Sequence, residues 1–354
     1  MNIFERMVGR DHEELVFVQD RAAGLRAIIS VHSTVLGPAL GGLRMWPYAT
    51  EAEAIYDVLR LAEAMTYKAA ASNLKLGGGK AVIIGDPRTD KTPALFRAMG
   101  RAIEKLGGRY ITAEDVGTSV EDMAFIRETT GHVTGTSRTA GGSGDPSPTT
   151  AAGVEESIRA CLEAVDGASA KSLEGLRVAV QGVGHVGSIL CRNLSAKGAR
   201  LTVCDVDRER AEAVAGECGA TVVEPDEIYD VAADVFAPCA LGFVLNDETI
   251  ARLKCRIVAG GANNQLKDVE RHGAMLESRN ILYAPDYVAN AGGLINIYYR
   301  EILGRPCESE AWSPTGIYET MKQVLETARE RKIPTSEAAQ RLAASRVEVA
   351  RGER

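Results

Sequence analysis

Two lysines and an aspartate in the first third of the chain have types and settings that could do chemistry. Lys68 lies in Met65-Thr66-Tyr67-Lys68-Ala69-Ala70, at the end of a stretch in which Ile55, Val58, Leu59, Ala62 and Met65 recur at helical spacing. On that helix it shares a face with Leu61, Ala64 and Met65, where an ammonium is desolvated unless it meets an anion. Lys80 closes Leu76-Gly77-Gly78-Gly79-Lys80, just ahead of the apolar strand Ala81-Val82-Ile83-Ile84. Three glycines let a ligand come close to the backbone beside an amine. Burial would lower the pKa of either amine and make a neutral base available near neutral pH. Asp115, in Ala113-Glu114-Asp115-Val116-Gly117, follows an expected strand, a usual place for a catalytic carboxylate in an α/β domain. Taken singly, the three also read as a snorkelling lysine, a turn lysine and a helix-capping aspartate.

A second constellation is Gly182-Val183-Gly184-His185-Val186-Gly187. G-x-G-x-x-G is weak alone, but here it follows the strand Arg177-Val178-Ala179-Val180-Gln181 and opens a helix. Gly182 permits the tight turn, Gly184 lets the backbone approach a pyrophosphate, and Gly187 lets helix and strand pack closely. The diphosphate then sits on the helix N-terminus. Asp205 ends the next strand, 18 residues past Gly187, where a carboxylate meets the adenosine ribose hydroxyls and repels a 2′-phosphate. NAD is therefore expected over NADP. The competing reading, a glycine-rich turn in an unrelated fold, leaves Asp205 unexplained. His185 reads as a solvent-facing filler rather than a catalyst. Beside a nicotinamide site, Lys68, Lys80 and Asp115 together suggest amine and carboxylate chemistry; no metal site is expected.

The elements that must position these groups follow from pattern. Leu15 to Val18 and Leu25 to Val31 read as strands, and Thr50 with Glu53 as a capping box for a helix reaching Ala71. Pro93 opens a helix to about Leu106, Tyr110-Ile111-Thr112 is a strand, and Thr118 with Glu121 is a second capping box. Residues 135–148, rich in Gly, Ser, Thr and Pro, read as an interdomain loop. Strands at Leu201 to Cys204, Val235 to Ala237, Ile257 to Ala259 and Ile281 to Tyr283 then alternate with helices, which is a parallel sheet covered on both faces. The stretch from Thr315 to about Glu348 reads as helical and charged.

Length and composition agree. At roughly 150 residues per domain, 354 residues favour two domains. The expected architecture is α/β: a mixed substrate and oligomerisation domain over 1–140, and a Rossmann-type domain over 141–324 across a cleft. A C-terminal helix over about 325–354 is expected to pack back on the first domain. A net charge of −7 lacks the cationic excess that binds nucleic acid or an anionic membrane. No apolar run approaches the roughly 18 residues of a membrane span. Seven cysteines without C-x-x-C spacing suit a reduced, cytoplasmic protein better than a disulfide framework. Glycine is the anomaly, with 36 residues, and 16 of them fall in six clusters: 37, 41, 42; 77–79; 141, 142, 144; 182, 184, 187; 260, 261; 292, 293. The expectation is that these clusters mark places where backbone approaches ligand.

Several segments resemble the amino-acid dehydrogenase superfamily of glutamate, leucine, phenylalanine and valine dehydrogenases, most closely its leucine branch. They are Pro38-Ala39-Leu40-Gly41-Gly42-Leu43-Arg44-Met45, Met65 to Lys68, Gly77 to Lys80, Ala113 to Thr118, Gly144-Asp145-Pro146-Ser147-Pro148, Ala237-Pro238-Cys239-Ala240, Gly261-Ala262-Asn263-Asn264-Gln265 and Tyr283-Ala284-Pro285-Asp286-Tyr287. The resemblance runs to about Tyr298 and is weaker in the tail. It implies reversible, NAD-dependent oxidative deamination of an L-amino acid to a 2-oxo acid and ammonium. It implies that Lys68 holds the substrate carboxylate with the Gly41 and Gly42 backbone and Asn263. Lys80 acts through a water, and Asp115 shuttles protons to and from the amine. Thr150 bonds the nicotinamide amide, and Cys239, Ala240 and Asn263 belong to the cofactor site.

Leu40, Ala113, Leu294 and Ile297 match the side-chain pocket, all apolar, with Leu40 at the position where glutamate enzymes carry a lysine. An unpaired substrate carboxylate there would be expensive to bury. Leucine, isoleucine and valine are the expected substrates. The resemblance also implies domain closure over the substrate and a homo-oligomer. The alternatives are the same chemistry on an aromatic amino acid or glutamate, a Schiff-base enzyme on Lys68 or Lys80, and a non-catalytic NAD-binding protein.

Overall fold

The computed structural model describes residues 2–137, 142–167, 172–305 and 315–353. It contains two compact units: residues 1–145, 297–307 and 343–354 form unit 1, and residues 146–296 with 308–342 form unit 2.

Unit 1 begins with α1 (Ile3–Val8), β1 (Glu14–Asp20), β2 (Leu25–Ser33), β3 (Ala39–Trp46), α2 (Glu51–Ala71), β4 (Gly77–Ile84), α3 (Pro93–Glu104), β5 (Tyr110–Glu114) and α4 (Val120–Arg127). The sheet order is β1-β2-β4-β3-β5, with β1, β2 and β4 antiparallel and β4, β3 and β5 parallel. Strand side chains alternate between faces. Leu25, Ile29, Met45 and Ile83 pack with Phe96, Met99 and Ile103 of α3 on one face. Ile28 and Val82 pack with Ala54, Ile55, Val58 and Leu59 of α2 on the other. The same alternation puts Leu40, Gly42, Arg44, Gly78 and Lys80 on the α2 face.

Local signals place these elements, with four corrections. Thr50 caps α2 by accepting the Glu53 N–H at 3.2 Å, but Glu53 reaches back to the Ala49 N–H at 3.1 Å, one residue before the cap. The second capping box is Ser119 with Asp122, not Thr118 with Glu121; Thr118 spends its hydroxyl on the Leu43 and Asp115 carbonyls. Ala39–Trp46 is a strand, although its adjacent glycines weaken that reading of the sequence. Lys80 and the three glycines before it lie inside β4, not in a turn ahead of it.

Unit 2 carries α5 (Ser147–Asp166), β6 (Arg177–Gln181), α6 (His185–Ser195), β7 (Arg200–Cys204), α7 (Arg208–Cys218), β8 (Thr221–Val222), β9 (Val235–Pro238), α8 (Asp247–Arg252), β10 (Ile257–Val258), α9 (Val269–Ser278), β11 (Leu282–Tyr283), α10 (Asp286–Ala289) and α11 (Gly292–Ile297). Its six strands are all parallel in the order β11-β10-β9-β6-β7-β8. This is the doubly wound order, with the switch point between β6 and β9, and it bears out the Rossmann-type expectation. The chain ends in α12 (Thr315–Arg331) and α13 (Thr335–Gly352), separated at Lys332-Ile333-Pro334, where the sequence suggested one continuous helical stretch. Pro334 cannot continue a helix, and Lys332 has φ +54°. Among the described residues no helix is long and apolar enough to cross a membrane.

Candidate functional site

The expected site residues divide between the units. Lys68, Lys80, Asp115, Leu40, Gly41, Gly42, Ala113 and Ile297 lie in unit 1; Thr150, Gly182, Gly184, Gly187, Asp205, Cys239, Ala240, Asn263 and Leu294 lie in unit 2.

In unit 1, Lys80 and Asp115 meet. Lys80 is 5% exposed, and its Nζ stands 2.8 Å from Asp115 Oδ2. Burial pushes the Lys80 amine below its ordinary value, against the opposing pull of Asp115. Burial also opposes ionisation of Asp115, but Lys80 and Arg44 outweigh it and hold the carboxyl below its ordinary value. Asp115 Oδ2 accepts from Arg44 Nε at 3.0 Å as well. Among the described residues, no donor meets Oδ1. The carboxylate is thus clamped on one oxygen and open on the other.

Arg44 has no assigned role in the sequence reading, yet it organises this corner. Its Nη1 donates to Asp57 at 2.8 Å, and Asp57 also accepts from Tyr48 at 2.7 Å and from Arg60 at 3.1 Å. One charged residue in a strand that is otherwise apolar was the available signal.

Glycine sets the spacing around the pair. A Cβ on Gly42 would stand 2.7 Å from Asp115 Cβ, and one on Gly78 would stand 2.1 Å from the Thr66 nitrogen. The missing side chain of Gly78 therefore lets the Lys68 end of α2 sit directly on the strand that carries Lys80. Lys68 itself is in the last turn of α2 and half-buried. Leu40 is 2% exposed and Ala113, paired with Gly42 across β3 and β5, is 7% exposed, so this face presents apolar surface beside the ion pair.

In unit 2, the motif lies at the end of β6. Gly182 has φ +88°, the turn only glycine makes without strain, and Gly187 packs where a Cβ would be 2.0 Å from the Gly182 carbonyl. No side chain caps α6, and a Cβ on Gly184 would meet nothing within 4 Å. The helix N-terminus is open to an anion. Asp205 is 7% exposed in its side chain; it accepts the Val183 N–H at 2.8 Å and the Asp207 N–H at 3.0 Å, so two backbone donors fix it beside the turn. Cys239 and Ala240, across the switch point, pack against Gly187 and Gly182. Burial pushes the Cys239 thiol up to about 11, which keeps it protonated. The Thr150 hydroxyl donates to the Pro146 carbonyl at 3.0 Å and keeps lone pairs to accept with.

The exposed Asn263 accepts at Oδ1 from the buried Asn290 at 2.8 Å, and Asn290 is itself oriented by the Gly261 and Ala262 carbonyls. The Asn263 Nδ2 donor has no acceptor among the described residues and is the end available to a carboxylate. Glycine spacing, an open helix N-terminus and a fixed acid fit a dinucleotide.

A doubly wound parallel sheet with a glycine turn at an open helix N-terminus, and a unit holding a desolvated amine against a carboxylate, fit an oxidoreductase acting on an amine-bearing substrate. Residues 12–132 match the model of the Glu/Leu/Phe/Val dehydrogenase dimerisation domain, and residues 201–354 match that of Glutamate/Leucine/Phenylalanine/Valine dehydrogenase. The chain is 56% identical over 351 residues to a leucine dehydrogenase of Thermoactinomyces intermedius, covering 99% of this chain and 95% of that one. It is 52% identical over 348 residues to the leucine dehydrogenase of Bacillus subtilis (strain 168), covering 98% and 94%. The crystal structure of L-tryptophan dehydrogenase from Nostoc punctiforme superposes with a TM-score of 0.87 at 44% identity, covering 98% and 99%. The chain belongs to the Glu/Leu/Phe/Val dehydrogenase family and is an amino-acid dehydrogenase, as its motifs indicated.

Proposed function

We propose that this protein carries out NAD-dependent, reversible oxidative deamination of a branched-chain aliphatic L-amino acid, giving the 2-oxo acid and ammonium. The observation that carries the reading is the buried Lys80–Asp115 pair at 2.8 Å, beside the apolar Leu40 and Ala113. NAD, when bound at the Gly182–Gly187 turn, supplies the hydride acceptor. Asp205, held by backbone donors beside that turn, favours a free 2′-hydroxyl over a 2′-phosphate.

The chain's own groups handle the carboxylate, the protons and the water. Lys68 and the Gly41 and Gly42 backbone hold the substrate carboxylate. Asp115, ionised at rest, takes a proton at Oδ1 from the substrate ammonium and leaves the neutral amine that can lose hydride. Once Cα is an iminium carbon, neutral Lys80 takes a proton from water as the oxygen bonds to Cα. The proton on Asp115 returns to nitrogen, the C–N bond breaks, and ammonia leaves as the carbonyl forms, the hydroxyl proton passing to the regenerated Asp115 carboxylate.

Thr150, whose hydroxyl keeps lone pairs after donating to the Pro146 carbonyl, would accept from the nicotinamide amide. Leu40, Ala113 and Ile297 of unit 1 give the aliphatic side chain apolar surface, where one methylene changes discrimination by about 1–3 kcal/mol. The similarity to leucine dehydrogenases supports this substrate class over an aromatic one. The match to a dimerisation domain supports a homo-oligomer, and the likeness to dehydrogenases of small metabolites supports a cytoplasmic enzyme.

The test is NAD⁺ reduction across all L-amino acids, with NADP⁺ alongside. Leucine, isoleucine and valine should lead, with NAD⁺ preferred. A lead by phenylalanine, tryptophan or glutamate overturns the pocket reading, and binding of NADH without turnover on any amino acid overturns the activity.

A further inference from the structure

We propose that the C-terminal helix is a positioning element for substrate binding: Arg346 on α13 holds the end of α2 and thereby fixes where Lys68 stands. This rests on the reading of Lys68 as the carboxylate-binding lysine.

The end of α2 is an unusual place for so many restraints to meet. The helix finishes in a Schellman turn, with Asn73 at φ +54°. The Asn73 N–H donates to the Ala70 carbonyl at 3.0 Å, and the Leu74 N–H to the Ala69 carbonyl at 3.0 Å. That turn leads within a few residues into β4 and Lys80. Arg346 Nη1 then donates to the Ala70 and Ala71 carbonyls at 2.8 and 2.7 Å. A guanidinium on the last carbonyls of a helix adds a charged donor where the i→i+4 ladder has run out, here as a second donor to the Ala70 carbonyl, and also complements the dipole. Lys68 lies in that same turn, and its own carbonyl accepts from the Ser72 N–H at 3.1 Å.

A second route joins the tail to the same turn. Arg351 pairs with Asp11 at 2.9 Å. The neighbouring Arg10 carbonyl accepts from His32 Nε2 at 2.9 Å. Because a carbonyl can only accept, the proton sits on Nε2, and Nδ1 accepts from the Thr66 hydroxyl at 2.8 Å. Thr66 is the residue whose backbone rests on Gly78. The tail therefore grips α2 at Ala70 and Ala71 directly, and at Thr66 through His32. Lys68 lies between the two grips.

Arg346 touches neither substrate nor cofactor in this account, so its effect is on binding geometry. The experiment compares Arg346→Ala, Arg346→Lys, Lys68→Ala and the double variant in steady-state NAD⁺ reduction with L-leucine. Arg346→Ala should raise the KM for the amino acid about tenfold, with kcat nearly kept and the KM for NAD⁺ unchanged. Arg346→Lys, which keeps a cation on the carbonyls, should restore most of the loss. In the Lys68→Ala background, Arg346→Ala should add nothing further. Lowered thermal stability with an unchanged KM would overturn the proposal, and so would a KM effect that survives undiminished without Lys68. If Lys68→Ala itself leaves KM unchanged, the carboxylate reading fails, and that result is distinguishable because it needs no change at Arg346. Should the Ala variant fail to fold, Arg346→Gln against Arg346→Lys asks the same question of the same KM.

Discussion

Both units use glycine for close backbone packing, and they part company at Gly184. In unit 1 the clustered glycines meet protein. A Cβ on Gly41 would stand 1.7 Å from the Gly79 carbonyl, and one on Gly77 would stand 1.9 Å from the Ser33 carbonyl. These residues let strands and α2 close up until an amine is pressed out of water against a carboxylate. In unit 2, Gly187 serves packing in the same way, but Gly184 faces open space at a helix N-terminus. The expectation that the clusters mark ligand contacts therefore needs narrowing. Most of them, including Gly260 against the Pro238 carbonyl and Gly292 against the Thr149 carbonyl, serve backbone-to-backbone approach. In the proposed function, chemistry in unit 1 comes from side chains that the fold desolvates, and recognition in unit 2 from backbone that the fold leaves bare.

The sharpest break of this contrast is Lys80→Ala. Loss of a general base should lower kcat by ~10²–10⁴-fold, while NADH binding, followed by fluorescence, should be unchanged. A loss of nucleotide affinity in that variant would mean that the two units do not divide chemistry from recognition. Next is Gly78→Ala. Its Cβ would collide with backbone of α2, a rigid neighbour, so stability in urea should fall by about 1–3 kcal/mol or more, and activity with it. Gly184→Ala should do the reverse. Its φ of −67° is open to alanine and no atom lies in the way, so the melting temperature should hold while NADH affinity drops about tenfold or more. If Gly184→Ala unfolds the protein and Gly78→Ala does not, the division of labour is wrong.

Much of the site was legible because its signals are local. The G-x-G-x-x-G turn with strand, helix and Asp205 occupies a short span of chain, and the helical spacing from Ile55 to Met65 places Lys68 near the end of α2. Lys80 and Asp115 could be singled out by type and setting, although Lys80 was placed ahead of a strand rather than inside one. What stayed hidden is long-range or runs against propensity. β3 is glycine-rich, so its sequence does not read as a strand, and without β3 the role of Arg44 between Asp57 and Asp115 cannot be seen. The shift of the second capping box to Ser119 and Asp122 turns on Thr118 being drawn to the Leu43 carbonyl, 75 residues earlier. The grip of Arg346 on Ala70 spans 276 residues, and no pattern in either segment announces the other.

The proposed water step requires Lys80 to be an amine whose affinity for protons is lowered by burial although a carboxylate lies against it. A lysine with an undepressed pKa would be almost wholly protonated near neutral pH and a poor base for the water step. The direct measurement is the titration of the Lys80 Nζ chemical shift in protein labelled with ¹⁵N-lysine, assigned by its loss in Lys80→Met. The expected midpoint lies below the ordinary value of 10.5, because desolvation is the larger influence. It should rise in Arg44→Gln, which removes a cation that disfavours the charged amine. A midpoint at or above 10.5 in the unaltered protein would mean that Asp115 outweighs burial, and Lys80 would then be a fixed cation and not the base.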